Sequence, residues 1–302
     1  MKPANDVRDQ PVWLEVALNG GWTRKRQPLM PVAIEEIIEE GIACIDAGAA
    51  IVHMHSYDAT AGHQNHDATT YDRIFQGIRK NRDAIVYPTI AQMPEAPDSE
   101  QRLDAMQGLT GGGLLEWAPI DPGSTTFSRF ADIAIGRTGY LYANPEAHIR
   151  RVLDWSARHR LHPNFSIYEP GFLRLGSALA RHTPGLPCPL YRFMFTSDHA
   201  YGFPLRAYAL DAYLQLLAEE APGVPWMVAG RGTDVTPMIE QAVRCGGHIR
   251  VGLEDAPLYS EVGNVELVRR AAASIRAAGG RLATPAEVRT SAAAAHLGVP
   301  AP

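Results

Sequence analysis

The feature that most constrains this chain is a regular alternation of short apolar runs with segments of helical periodicity. Eight apolar runs occur along the chain, at residues 12–18, 49–55, 84–89, 114–120, 164–168, 190–195, 225–229 and 248–253. Most of them are continuously apolar, which is typical of strands that are buried on both faces of a parallel sheet. The runs therefore predict eight buried parallel strands.

Segments with helical features separate these runs. Residues 31–47 carry isoleucines at helical spacing, and further helices are predicted over residues 144–160, 205–219, 236–245 and 264–278. Thr284 and Glu287 form a capping box at the start of a last helix. Strands that alternate with helices predict one (β/α)8 TIM barrel, a single domain over residues 1–302. The alternative, a doubly wound open sheet, is less favoured because no GxGxxG motif follows the first run.

The loops that follow the strands of a TIM barrel carry its active site. The longest stretches in which we predict no regular structure are residues 56–70, 91–98 and 119–143. Each of them comes directly after a predicted strand. We therefore expect these three segments to be active-site loops.

Composition excludes several other classes of protein. The formal net charge is −5, with 46% hydrophobic and 20% charged residues, so the chain lacks the basic character of a nucleic-acid binder. Cys44, Cys188 and Cys245 are far apart, which excludes a CxxC motif and a disulfide framework. Neither a signal peptide nor a membrane span is visible. We expect a cytoplasmic protein without membrane or nucleic-acid partners.

The second apolar run ends in His53-Met54-His55. Side chains alternate between the two faces of a strand, so both imidazoles point to the same side. Histidines in this arrangement can chelate one metal ion if that side is the barrel interior. The alternative is a pair of polar residues that make local hydrogen bonds at a strand end.

The eighth run ends in a second polar pattern, the sequence RVGLED at residues 250–255. Arg250 and Glu254 share one strand face, and one interpretation is a structural ion pair inside the barrel. The other is that Glu254 completes a His2Glu site with His53 and His55, because even-numbered strands place inward residues in matching layers. Three protein ligands with one open position are typical of catalytic zinc. Arg250 and Asp255 would then serve charge stabilisation and proton transfer.

Three other groups are weaker candidates. His63 and His66 are more typical of a polar surface loop than of a metal site, and His199 follows the sixth run, where an acid or base could lie. The basic segment at residues 24–26 follows the first run and could meet a phosphate such as that of coenzyme A, although a solvated loop is the favoured interpretation.

Several of these motifs together resemble the β-keto acid cleavage enzymes, whose founding activity is 3-keto-5-aminohexanoate cleavage. The resemblance rests on DAGAAIV before the HxH motif, on WMVAG at residues 226–230, and on GGHIRVGLEDAPLY, GNVELVRR and ATPAEVR near the C-terminus. It extends from about Leu14 to Val299. The combination of RVGLED with HxH is the specific part.

The resemblance implies a zinc-containing TIM barrel that forms a homo-oligomer, usually a tetramer. It implies a reaction in which a β-keto acid and acetyl-CoA give acetoacetate and a new acyl-CoA. By position it assigns the zinc to His53, His55 and Glu254, and catalysis to Arg250, Asp255 and Thr89. The expected substrate-binding residues are Glu15, Trp22, Gly123 and Ser124.

The sequence also departs from the family pattern. Ile90-Ala91-Gln92 stands where the family usually has Thr-Gly-Gly, and Tyr57 stands where it often has arginine. Trp22 lies nearest to the position of a glutamate that faces the substrate amine in the founding enzyme. An amine-bearing substrate is therefore not expected, and an apolar or aromatic acyl group is the alternative. Two alternatives stay open: another metal-dependent hydrolase or aldolase on the same barrel, and a non-catalytic barrel that binds a small acid.

Overall fold

A computed structural model describes residues 9–58 and 62–298 of the chain. Its centre is a sheet of eight parallel strands: β1 (Leu14–Ala17), β2 (Ile51–Met54), β3 (Ile85–Pro88), β4 (Trp117–Ile120), β5 (His162–Ile167), β6 (Leu190–Phe195), β7 (Trp226–Gly230) and β8 (His248–Val251). Neighbouring strands in the chain are neighbours in the sheet, and β8 also pairs with β1. Strands β3 and β4 contact each other without a ladder in the described part of the chain. The barrel is therefore nearly closed.

Helices cover the outside of the sheet. In chain order they are α1 (Ile34–Asp46), α2 (Ala68–Arg79), α3 (Asp104–Gly111), α4 (Glu146–His159), α5 (Pro170–Arg181), α6 (Ala207–Glu220), α7 (Ile239–Arg244), α8 (Asn264–Ala277) and α9 (Pro285–Ala294). Shorter helical turns occur at Glu100–Leu103, Phe130–Ile133 and Thr236–Met238. The apolar faces of the helices pack on the strands and form one large core with them. No helix within the described ranges is long and apolar enough to cross a membrane.

The predicted TIM barrel is confirmed. All eight predicted strands overlap an observed one, and residues 190–195 match β6 residue for residue. The capping box of α9 is present, with the Thr284 side chain accepting from the backbone N–H of Glu287. Each apolar run locates its strand to within three residues at either end, because strands that are buried on both faces favour continuously apolar sequence.

Two of the three long loops are more ordered than expected. A first hairpin pairs Ser56–Asp58 with His63–Asn65, and a second hairpin pairs Thr125–Phe127 with Tyr140–Tyr142. A separate parallel pair joins Pro11–Val12 to Arg281–Leu282. The prediction that residues 56–70 and 119–143 lack regular structure is therefore wrong. The hairpin strands are too short to show a clear alternation of apolar and polar residues.

Candidate active site

Three potential metal ligands meet where β2 and β8 end. His53 lies in β2, His55 follows it, and Glu254 comes shortly after β8. One ligand atom from each of the three lies within 4.8 Å of the others. His53 Nε2 is 3.2 Å from Glu254 Oε2, and His55 Nε2 is 3.6 Å from Glu254 Oε1. Two ligands of one tetrahedral zinc ion lie about 3.3 Å apart, so the cluster has the dimensions of such a site.

Hydrogen bonding and charge in the cluster also fit a metal. His55 Nε2 and Glu254 Oε2 are buried, and neither makes a hydrogen bond of ordinary geometry with any other described residue. Burial lowers the pKa of His53 to about 4, which keeps the imidazole neutral and able to ligate at neutral pH. Burial opposes ionisation of Glu254, but the charge of Arg250 holds its pKa well below the usual range. The donor set is therefore two imidazoles and one carboxylate.

Several neighbours fix the ligands in place. The Asn19 side chain accepts from the His55 backbone N–H at 2.9 Å and donates to the His55 carbonyl at 3.0 Å. On the first hairpin, Gln64 Oε1 is in hydrogen-bond contact with His55 Nδ1, which leaves Nε2 for the metal. The Tyr57 hydroxyl lies within hydrogen-bond distance of the carbonyls of Gly20 and Trp22 and shares its one proton between them. The loop after β1 is thereby held against the cluster.

Arg250 connects the cluster to a buried network of charges. Its guanidinium donates to Asp255 at 2.7 and 2.9 Å and to Glu15 at 3.0 Å, and it lies 3.2 Å from Glu254. Glu15 also accepts from Arg192 at 3.1 Å and from the Tyr87 hydroxyl. Burial raises the pKa of Asp255, although Arg250 opposes the shift.

Negative charges outnumber positive ones in this network, and a divalent cation would reverse the sign of the sum. Three carboxylates (Glu15, Glu254 and Asp255) face two guanidiniums (Arg192 and Arg250) in this network. The formal charges of these five groups sum to −1, and a divalent ion would make the sum +1. A site of that sign attracts a carboxylate substrate.

A cavity of about 380 Å³ opens above the cluster. Five of the predicted site residues line it, namely His53, His55, Thr89, Arg250 and Glu254. Its other polar lining comes from Gln64, His66, Gln92, Asp121, Ser166, Arg192 and Arg231, and its aromatic wall from Phe127, Tyr140, Tyr142 and Tyr168. The volume suits a small organic acid.

The other predicted site residues lie outside the cavity lining. Asp255 is held by Arg250, and Glu15 is fully buried. The indole N–H of Trp22 donates to the Glu254 carbonyl at 2.9 Å. The Ser124 hydroxyl accepts from the backbone N–H of Asn144 at 2.8 Å, and the Gly123 carbonyl accepts from the side chain of that residue at 3.0 Å. These contacts support the site from behind, and direct contact of the five residues with substrate stays a prediction.

The weaker candidates divide in the structure. His63 is exposed, as expected for a surface loop, whereas His66 lines the cavity, so that interpretation is wrong for His66. His199 is buried and packs on Phe127 outside the cavity lining. Arg24 is exposed and pairs with Glu36.

Sequence reasoning missed four contributors to the site: Asn19, Gln64, Arg192 and Arg231. Arg192 had a readable signal, because it is a lone charge inside the apolar run of β6. Asn19 and Gln64 act through loop conformation, which hydrophobic periodicity does not report. Arg231 directly follows β7, at the end of the barrel where active-site residues lie.

Fold and site together define the class: a TIM barrel with a candidate His2Glu metal centre at the carboxyl ends of its strands. A family model described as beta-keto acid cleavage enzyme matches residues 11–292. The chain therefore belongs to this family, and the resemblance seen in its motifs is confirmed.

Individual relatives agree with this assignment. The chain is 27% identical over 305 residues to the 3-oxoadipate:acetyl-CoA acetyltransferase of Cupriavidus necator, covering 96% of each protein. It is 27% identical over 274 residues to the 3-keto-5-aminohexanoate cleavage enzyme of Fusobacterium nucleatum, covering 88% of this chain and 92% of that protein. A solved binary complex of ObcA with oxaloacetate has a TM-score of 0.66 at 18% identity, covering 89% of this chain and 68% of ObcA. This last likeness shows a shared fold.

Proposed function

We propose that this protein is a zinc-dependent β-keto acid cleavage enzyme that uses acetyl-CoA as co-substrate. The reaction breaks the bond between C2 and C3 of the β-keto acid. It joins the carboxymethyl unit to the acetyl group as acetoacetate, and the acyl remainder leaves as a new CoA thioester. The observation that carries the proposal is the convergence of His53, His55 and Glu254 beside Arg250 in one cavity. Membership of the family supports the chemistry.

The residues of the cavity divide the work. His53, His55 and Glu254 would hold the zinc ion, which supplies a Lewis acid that polarises a substrate carbonyl. Arg250 lines the cavity, and its positive charge would attract the substrate carboxylate, while its N–H groups are held by Asp255, Glu15 and Glu254. Thr89 offers a hydroxyl on the same wall.

Asp255 holds Arg250 through two hydrogen bonds and assists removal of the proton from C2 of the substrate. Burial raises the pKa of this carboxylate and so makes it a stronger base. Glu15 accepts a hydrogen bond from Nη1 of the same guanidinium at 3.0 Å. The two carboxylates together fix the direction in which Arg250 points.

The remaining features of the proposal concern the setting of the enzyme. We also propose a homo-oligomer, a tetramer by resemblance, in the cytoplasm. Exposed apolar side chains around the second hairpin support subunit contacts, namely Phe130, Ile133, Ile135 and Leu141.

Two variants test the assignment of roles. Glu254→Ala should lose bound zinc because only two imidazoles remain. Asp255→Asn should keep zinc and lose acetoacetate formation by about 100-fold or more. Metal content by mass spectrometry, acetoacetate release and thermal unfolding are measured on each. Glu261→Ala, an exposed carboxylate on the same loop, is the control and should change none of them. Normal turnover in zinc-free Glu254→Ala would refute the proposal.

A further inference from the structure

Arg231 presents a guanidinium to the cavity without a carboxylate partner. It directly follows β7 and lines the same cavity as the metal cluster and Arg250. Its Nε atom is buried without a hydrogen bond, and the rest of the guanidinium is hydrogen-bonded to the Tyr140 side chain. The charge of Glu254 acts on it from a distance, but no Asp or Glu of the described residues is close enough to form an ion pair with it. Arg250 and Arg192, by contrast, are both paired with Glu15. Arg231 is therefore the arginine of the cavity lining whose charge no ion pair with a described residue balances.

Aromatic rings hold this guanidinium in place. Arg231 Cζ lies 4.3 Å from the centroid of the Trp22 ring and 5.9 Å from that of Phe127. Stacking of this kind orients a guanidinium without neutralising it. A cation that is partly removed from water and held without an ion pair gains a favourable partner when an anion binds beside it. The arrangement is thus suited to an anionic ligand in the cavity.

We infer that Arg231 binds a second carboxylate, at the acyl end of the substrate, so that the substrates are β-keto dicarboxylic acids. The inference rests on the proposed function, in which Arg250 takes the carboxylate beside the keto group. Arg250 and Arg231 line the same cavity of about 380 Å³, a volume that suits one small acid. The same unpaired cation repels an acyl group that carries an amine.

Binding without acetyl-CoA tests the inference independently of turnover. Three β-keto acids of equal chain length are titrated into the protein as purified, by calorimetry: 3-oxoadipate, 3-oxohexanoate and 5-amino-3-oxohexanoate. We expect 3-oxoadipate to bind at least about 30-fold more tightly than 3-oxohexanoate, because one charge-assisted hydrogen bond contributes a factor of this size to binding. The amine should bind most weakly.

Variants assign this preference to a residue. In Arg231→Gln the ratio of the affinities for 3-oxoadipate and 3-oxohexanoate should fall to within about threefold, and Arg231→Lys should keep part of it. Arg129→Gln is the matched control, because Arg129 belongs to the same end of the barrel, is already paired with Asp198 at 2.8 Å and lies outside the cavity lining. It should leave the ratio unchanged. The ratio of kcat/KM values for the two acids with acetyl-CoA should follow the binding ratio.

The outcomes separate the two proposals. Equal binding of the diacid and the monoacid by the wild type, or an unchanged ratio in Arg231→Gln, overturns the inference. So does a rise in the KM for acetyl-CoA with an unchanged acid ratio in Arg231→Gln, which would assign Arg231 to a CoA phosphate. Tight, Arg231-dependent binding of the diacid without acetoacetate formation would uphold the inference and refute the proposed function.

Discussion

At the scale of single residues, the metal cluster depends on a glycine that carries no chemistry. Gly20 has φ of +63° and lies directly against Glu254, so that an added Cβ would lie 2.4 Å from Glu254 Cγ. A side chain there is strained by the backbone conformation and pushes the carboxylate away from His53 and His55. The close approach of the loop after β1 is thus a condition for the ligand geometry.

We predict that Gly20→Ala lowers zinc affinity by at least about 10-fold, the effect of disturbing the support of a ligand. Gly62→Ala is the matched control, because Gly62 has φ of +70° and nothing within 4 Å of an added Cβ. Both variants introduce a similar backbone strain. The difference between their zinc affinities, measured by competition with a chelating dye, therefore reports the contact with Glu254. Equal zinc affinities of the two variants would contradict this account.

At the scale of elements, strand positions follow from the sequence and loop conformations do not. Burial on both faces requires continuous apolar runs, so all eight strands were predictable, and their order in a barrel brought His53, His55, Glu254 and Arg250 together. The hairpins were not predictable, because their three-residue strands carry too little periodicity.

The difference between strand ends and loops also explains which site residues could be predicted from the sequence. Gly123 and Ser124 bond to Asn144 behind the cavity, a contact between two loops that no spacing in the sequence reports. Arg231 takes its place through the rings of Trp22 and Phe127, which come from two other loops. Contacts between loops depend on tertiary structure, whereas strand ends depend on local burial.

Glu15 ties several strands together and makes a prediction at this scale. It lies in β1 and accepts from Arg192 of β6, Arg250 of β8 and Tyr87 of β3. Glu15→Gln leaves two buried guanidiniums without this charge and should lower the free energy of unfolding by about 3 kcal/mol. Urea denaturation at pH 7 measures the change.

An exposed ion pair provides the comparison for that measurement. Glu240→Gln removes the partner of Arg244, with both side chains more than 60% exposed, and should change the free energy of unfolding by less than about 1 kcal/mol. A loss in Glu15→Gln no larger than that in Glu240→Gln would show that the network of Glu15 does not stabilise the barrel.

At the scale of the whole molecule, the barrel buries histidines in the neutral form. Burial lowers the pKa of His148 to about 3, and the same cause lowers that of His248 to about 3. Neither ring nitrogen of His148 has a hydrogen-bond partner among described residues, and His248 Nδ1 accepts from the Trp13 backbone N–H at 3.2 Å. Both side chains have an ordinary pKa near 6.5 in the unfolded chain.

Stability should therefore fall on acidification. Between pH 6.5 and 3 the unfolded chain holds protons that the folded chain does not, so these two residues reduce the free energy of unfolding as the pH falls through this window. Together they contribute up to about 2.7 kcal/mol per pH unit. Urea denaturation at pH 7, 6 and 5 measures the slope of the free energy of unfolding against pH. In His148→Leu this slope should fall by the amount that one proton contributes. A slope that is the same in His148→Leu would refute this explanation.

The central claim is that the chain exchanges acyl groups between a β-keto acid and acetyl-CoA, and isotope tracing tests it most directly. The protein as purified is incubated with acetyl-CoA carrying carbon-13 in both acetyl carbons and with unlabelled 3-oxoadipate or 3-oxohexanoate. We expect acetoacetate labelled at C3 and C4 only, with one new acyl-CoA formed for each acetoacetate. Unlabelled acetoacetate, release of a free acid without a new thioester, or no acetoacetate from either acid would contradict it.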